Sequence, residues 1–161
     1  GEQSIEELVE VGRSSGVAAF NIIPDRNYTP GQTDQKLENL NQVVQLTQDL
    51  GLPLLGGTEM NSPGQKFVDD FNSPELAPHQ PVFLQGSWIL HAHSTLQRYA
   101  GMGYLSEWAN NQFPDVSAKN EFYASFGESF SPRGDDRLKD SLNVEMGATE
   151  VLDLMTKVMS V

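Results

Sequence analysis

The chain has 161 residues with 22 acidic and 10 basic side chains, and so a net charge of −12. That balance excludes a nucleic-acid backbone as the default partner, because neutralising phosphates takes a basic face. With 38% apolar and 9% aromatic residues the chain can close a core. No apolar run approaches the roughly 20 residues that cross a bilayer, and zero cysteines exclude disulfides, thiolate metal sites and a cysteine nucleophile.

No charged start followed by an apolar stretch marks a signal peptide, and a cytoplasmic, bacterial-type protein without a membrane or nucleic-acid partner is the expectation. Gly1 in place of Met reads as the remnant of a cleaved tag. The expected organisation is a single domain over 1–161, a fragment of a longer chain, with βα units over 1–71 and a mainly helical and irregular remainder over 72–161.

In chain order, Ser4 and Glu7 form a capping box. Ile5, Leu8 and Val9 supply one apolar face of a short helix that Gly12 and Gly16 weaken and stop. Val17 to Ile23 is a nearly unbroken apolar run ended by Pro24, which suits a strand buried on both faces. From Thr33, the residues Leu37, Leu40, Val43, Val44, Thr47 and Leu50 recur at helical spacing, and Gly51 stands where a left-handed cap belongs.

Leu52 to Gly57 reads as a second buried strand. The two strands and the helix between them have the order of a βαβ unit, whose strands lie parallel. Ser62, Pro63 and Gln65 then make a helix start, predicting a helix through Phe67, Val68 and Phe71. Asn72 to Pro81 reads as a connection.

Val82 to Leu84 is open between strand and helix, and the reading favours a helix over Ser87 to Tyr99. Tyr104 to Phe113 makes a short helix ended by Pro114. Asp115 to Asp136 shows no clear period and reads as irregular chain packing its aromatics on the core. Ala148 or Thr149 opens a last helix whose Val151, Leu152, Met155, Val158 and Met159 make one face.

Parallel α/β sheets bind ligands outside the carboxyl ends of their strands. Two polar clusters fall there: Asp25, Arg26 and Asn27 after the first strand, and Thr58, Glu59 and Asn61 after the second. Gly56 and Gly57 lower the side-chain bulk just before Glu59. The plain alternative makes Asp25 and Asn61 turn formers and Glu59 a helix-dipole partner.

The segments AFNIIPDRNYTPGQ and GLPLLGGTEMNS, separated by a helix, resemble part of the PHP (polymerase and histidinol phosphatase) superfamily of metal-dependent phosphoesterases, in a C-terminal portion. The resemblance spans Val17 to Ser62. It implies that Glu59 is a metal-binding carboxylate and Asp25 the Asp of the family's Asp-His pair. Arg26 stands where the family has a His, and an always-protonated guanidinium cannot ligate a metal. The family's opening Asp-x-His-x-His strand is absent, which fits either a fragment or a relative that clamps a phosphate or carboxylate with Arg26.

His91 and His93 are further candidate metal ligands. Two residues apart, they share a face on a strand but point about 200° apart on a helix. His79 reads as a loop residue, and Trp88, Tyr99, Tyr104 and Trp108 as packing groups. No G-x-S-x-G, G-x-G-x-x-G or phosphate-binding loop motif occurs.

The expectation is therefore an α/β fold of parallel βα units, part of a (β/α) barrel-like, TIM barrel-like hydrolase. A complete barrel takes about 250 residues, more than this chain has. A divalent ion (Zn, Mn or Mg) would be held by Glu59, His91 and His93 and act on a small anionic or phosphorylated substrate. Asp25 would orient water or hold metal, Arg26 would neutralise developing charge, and Asn27 and Asn61 would bind the ligand. Two alternatives stand beside it: a non-catalytic anionic-ligand-binding or assembly module, and a sugar-isomerase-like barrel. A homo-oligomer is left open.

Overall fold

The computed structural model describes residues 4–24, 34–61, 63–64, 67–131 and 135–160. The chain divides into two compact units, Gly1–Gly86 and Ser87–Val161.

The first unit begins with helix α1, Ile5–Ser14, whose N-cap Ser4 accepts the Glu7 N–H at 3.2 Å. The helix ends at Gly16, which adopts φ +89° while the Val17 N–H bonds back to the Gly12 carbonyl. That bond commits Val17 to the helix cap, and strand β1 is only Phe20–Ile22, shorter than the apolar run.

Helix α2, Asp34–Asp49, buries Leu40, Val44 and Thr47. Thr47 is fully buried, and its hydroxyl donates to the Val43 carbonyl at 2.9 Å, so its burial leaves no polar atom unsatisfied. Gly51 has φ +65°, and the Leu52 N–H reaches back to the Thr47 carbonyl at 2.8 Å, the closure the left-handed cap requires.

Strand β2, Leu54–Gly56, pairs with β1 in parallel, Phe20 opposite Leu54 and Ile22 opposite Gly56. Ile22, Leu40, Val44, Leu54, Leu76 and Phe83 form the core of this unit.

One expectation fails in this unit and one open reading is resolved. The helix predicted through Phe67 and Phe71 does not form: Gly64 takes φ +85°, outside the α region, and the Asp70 carboxylate accepts the Asn72 N–H at 3.1 Å. That local side-chain bond competes with helix continuation. Ser62 and Gln65, the expected cap residues, lie outside the described residues. Val82 to Leu84 is helical, inside helix α3, Gln80–Ala100, which follows a 3-10 turn at Ala77–His79.

The second unit holds α3 from Ser87 onward, α4 (Glu107–Gln112), α5 (Val116–Ser129), α6 (Asp135–Ser141) and α7 (Ala148–Met159). The segment expected to be irregular is α5, started by the Asp115 side chain accepting the Ser117 N–H at 2.9 Å. Phe122, Tyr123, Phe126 and Gly127 are buried at i, i+1, i+4 and i+5, the face of a core helix. A Cβ at Gly127 would overlap the Trp88 carbonyl oxygen, so glycine is what lets α5 approach α3. α7 packs on both α5 and α6, burying Val151, Met155 and Val158.

The (β/α) barrel-like fold is thereby overturned. Among the described residues the only sheet has two strands, β1 and β2, and helices make up most of the fold. The apolar positions after Pro81 recur with helical rather than strand period, so they bury against other helices and add no strand to the sheet.

Candidate functional site

The carboxyl ends of β1 and β2 lie at the same edge of the pair, because adjacent parallel strands run in one direction. Asp25, Arg26 and Asn27 follow β1 in sequence and lie outside the described residues. The segment after β2 is described. The Gly57 N–H donates to the Ile22 carbonyl at 2.7 Å, extending the pairing past Gly56.

The Asn21 carboxamide lies against Gly57: a Cβ there would stand 2.7 Å from Asn21 Oδ1 and 2.8 Å from Nδ2. Any side chain at 57 would displace Asn21. Two residues on, the half-buried Glu59 accepts a hydrogen bond from Asn61 at 2.6 Å, Nδ2 to Oε1. The pair joins an acceptor-only carboxylate to a carboxamide that both donates and accepts, and the hydrogen bond fixes the orientation of both side chains. Thr58 and Asn61 are exposed.

No family model, curated protein or solved structure matches the chain. The functional reading of this edge thus rests on its own geometry and chemistry.

His91 and His93 both lie on α3, in the second unit. The helix turns them apart. The exposed His91 ring meets the Phe130 ring edge-on, with centroids 5.3 Å apart. The half-buried His93 accepts the Tyr104 N–H at Nδ1, 2.9 Å away, which leaves the proton of the neutral ring on Nε2.

Among the described residues no three His, Asp or Glu side chains are grouped to hold a metal ion. A catalytic zinc takes about three protein ligands and an open position, a set that the described residues alone do not supply.

Two polar arrangements were not singled out in the sequence. Tyr104 donates its hydroxyl to Asn120 Oδ1 at 2.6 Å, and the Lys119 ammonium stands 4.6 Å from the centre of the same ring. Burial pushes the Tyr104 hydroxyl up to about 12 and lowers the Lys119 pKa. Asn21 is the other. Strand alternation carries the signal for its position, since a polar residue between two apolar neighbours points away from their face, but the apolar run conceals it.

Proposed function

We propose that the chain is a non-catalytic binding module that takes a small anionic ligand at the carboxyl edge of the β1–β2 pair. The observation that carries this reading is the parallel pairing of β1 with β2, which starts the segments after both strands from one edge. Arg26, four residues beyond β1, supplies an always-charged fork suited to a phosphate or carboxylate. Asn61 adds a carboxamide that Glu59 orients through their 2.6 Å hydrogen bond.

Inorganic phosphate is the probe. A ligand that binds only the folded chain raises its stability by about 2.7 kcal/mol at a hundred times its Kd. The expected result is a phosphate-dependent rise in melting temperature at low salt, with amide shifts over Gly57–Asn61. Arg26→Gln should remove both, and Asn61→Ala should weaken them. Stabilisation by Mn²⁺ that Glu59→Gln abolishes, or turnover of a generic phosphoester, overturns this reading in favour of a metal-dependent hydrolase.

A further inference from the structure

The two outer edges of the β1–β2 pair differ. The Phe20 N–H donates to the Pro53 carbonyl at 2.9 Å, and the Ile22 carbonyl accepts the Gly57 N–H at 2.7 Å, so Phe20 and Ile22 turn their main-chain groups toward β2. Successive peptide groups of a strand point to opposite sides. The main-chain N–H and C=O of Asn21 therefore face away from β2. Asn21 is exposed, and neither group is paired with a described residue outside the sheet.

By the same alternation, β2 turns the groups of Leu54 outward. That edge is closed: a Cβ at Gly86 of α3 would overlap the Leu54 carbonyl oxygen, and Leu54 is only 1% exposed. Among the described residues the unpaired edge of the sheet is therefore that of β1. The Asn21 side chain lies against Gly57. An open strand edge is a template for an added strand.

We infer that the outer edge of β1 at Asn21 takes an extended, net-positive segment of a partner chain as a third strand. Charge selects this occupant. β1 spans only three residues and offers few main-chain bonds, so attraction between unlike charges must supply much of the affinity and the rate of encounter. A chain of net charge −12 draws a cationic segment and repels a second copy of itself. This surface is the lateral edge of the sheet, distinct from the carboxyl end proposed for the anion.

The test is amide hydrogen exchange, read by NMR on the intact chain, with an alternating Lys-Val peptide as probe and an alternating Glu-Val peptide as control. The Lys-Val peptide should slow exchange at Asn21 by about tenfold or more, leave the inward-facing Gly57 amide unchanged, and lose its effect near 1 M salt. Asn21→Pro, which removes the outward donor, should abolish binding. No slowing at Asn21 at the highest soluble Lys-Val concentration overturns the inference, as does equal slowing by Glu-Val. Protection that rises with protein concentration in the absence of peptide assigns the edge to a second copy and overturns the proposed occupant. Phosphate binding is read separately at Gly57–Asn61, so failure of either proposal leaves the other standing.

Discussion

The His93 ring accepts the backbone N–H of Tyr104 at 2.9 Å, Nδ1 to N, joining α3 to the chain that turns back after Gly101. Gln97 does the same for Gly103 at 3.1 Å through Oε1, so two side chains of one helix hold the turn that follows it. Tyr104 is buried, and loss of its acceptor leaves a desolvated donor. His93→Ala should therefore destabilise the second unit by about 1–3 kcal/mol, measured by urea unfolding. His91→Ala, which removes an exposed ring contact, should cost clearly less.

Gly86 is required for packing. Gly86→Ala drives a methyl into the Leu54 carbonyl, and a forced shift of this kind costs about 1–3 kcal/mol or more. Ser87→Ala, one residue along the same helix, carries no such overlap and serves as the control in the same melt.

His79 predicts an acid-side loss of stability. Burial lowers its pKa from the ordinary 6.5, so the unfolded chain binds its proton more readily than the folded chain. The stabilising difference is present above about pH 6.5 and is lost as pH falls from there through the folded-state value. The bond of Nε2 to Asn41 Oδ1, at 2.7 Å, survives protonation, because the charged ring still donates there; desolvation is the cause of the loss. His79→Gln should flatten the urea midpoint between about pH 7.5 and 5.

The tyrosines predict the opposite limb. Burial pushes the Tyr104 hydroxyl up to about 12, and burial together with the neighbouring Tyr104 raises Tyr123 further. A raised folded-state pKa contributes stability that is complete below the unfolded value near 10 and is lost as pH rises through the folded value. Alkaline titration followed by tyrosinate absorbance should show these two groups ionising late, together with loss of helical signal. Tyr104→Phe should move the alkaline transition, provided the loss of its bond to Asn120 is first measured at neutral pH.

Leu40 is fully buried in the core of the first unit. Leu40→Ala should cost about 2–5 kcal/mol, whereas Leu8→Ala, at a position 58% exposed on α1, should fall within about 0.5 kcal/mol. Denaturant midpoints of the two variants check the contrast.

The legible elements were those whose ends and faces are encoded close by in the chain. Ser4 with Glu7 starts α1, Gly51 stops α2, and the i, i+4, i+7 face of Val151, Met155 and Val158 marks α7. α5 was hidden because aromatic residues have modest helix propensity and Gly127 looks like a breaker, although it makes room for the Trp88 carbonyl. At the candidate site, the parallel direction of β1 and β2 and the position of Glu59 just past a strand were readable. The bond from Asn61 to Glu59 and the contact of Asn21 with Gly57 were not, since both depend on side-chain geometry.

By itself the sequence determined local matters: an acidic chain without cysteine, the caps of α1 and α2, and the parallel order of two short strands around one helix. Those properties depend on residues a few positions apart, where spacing and backbone chemistry act directly. The tertiary structure decided that the sheet stops at two described strands and that Val82–Leu84 and Val116–Ser129 are helical. It also decided that Gly86 closes one sheet edge while Asn21 is left on the other. Those outcomes depend on which surfaces meet across long stretches of chain, where close packing of a helix on a strand backbone outweighs local preference.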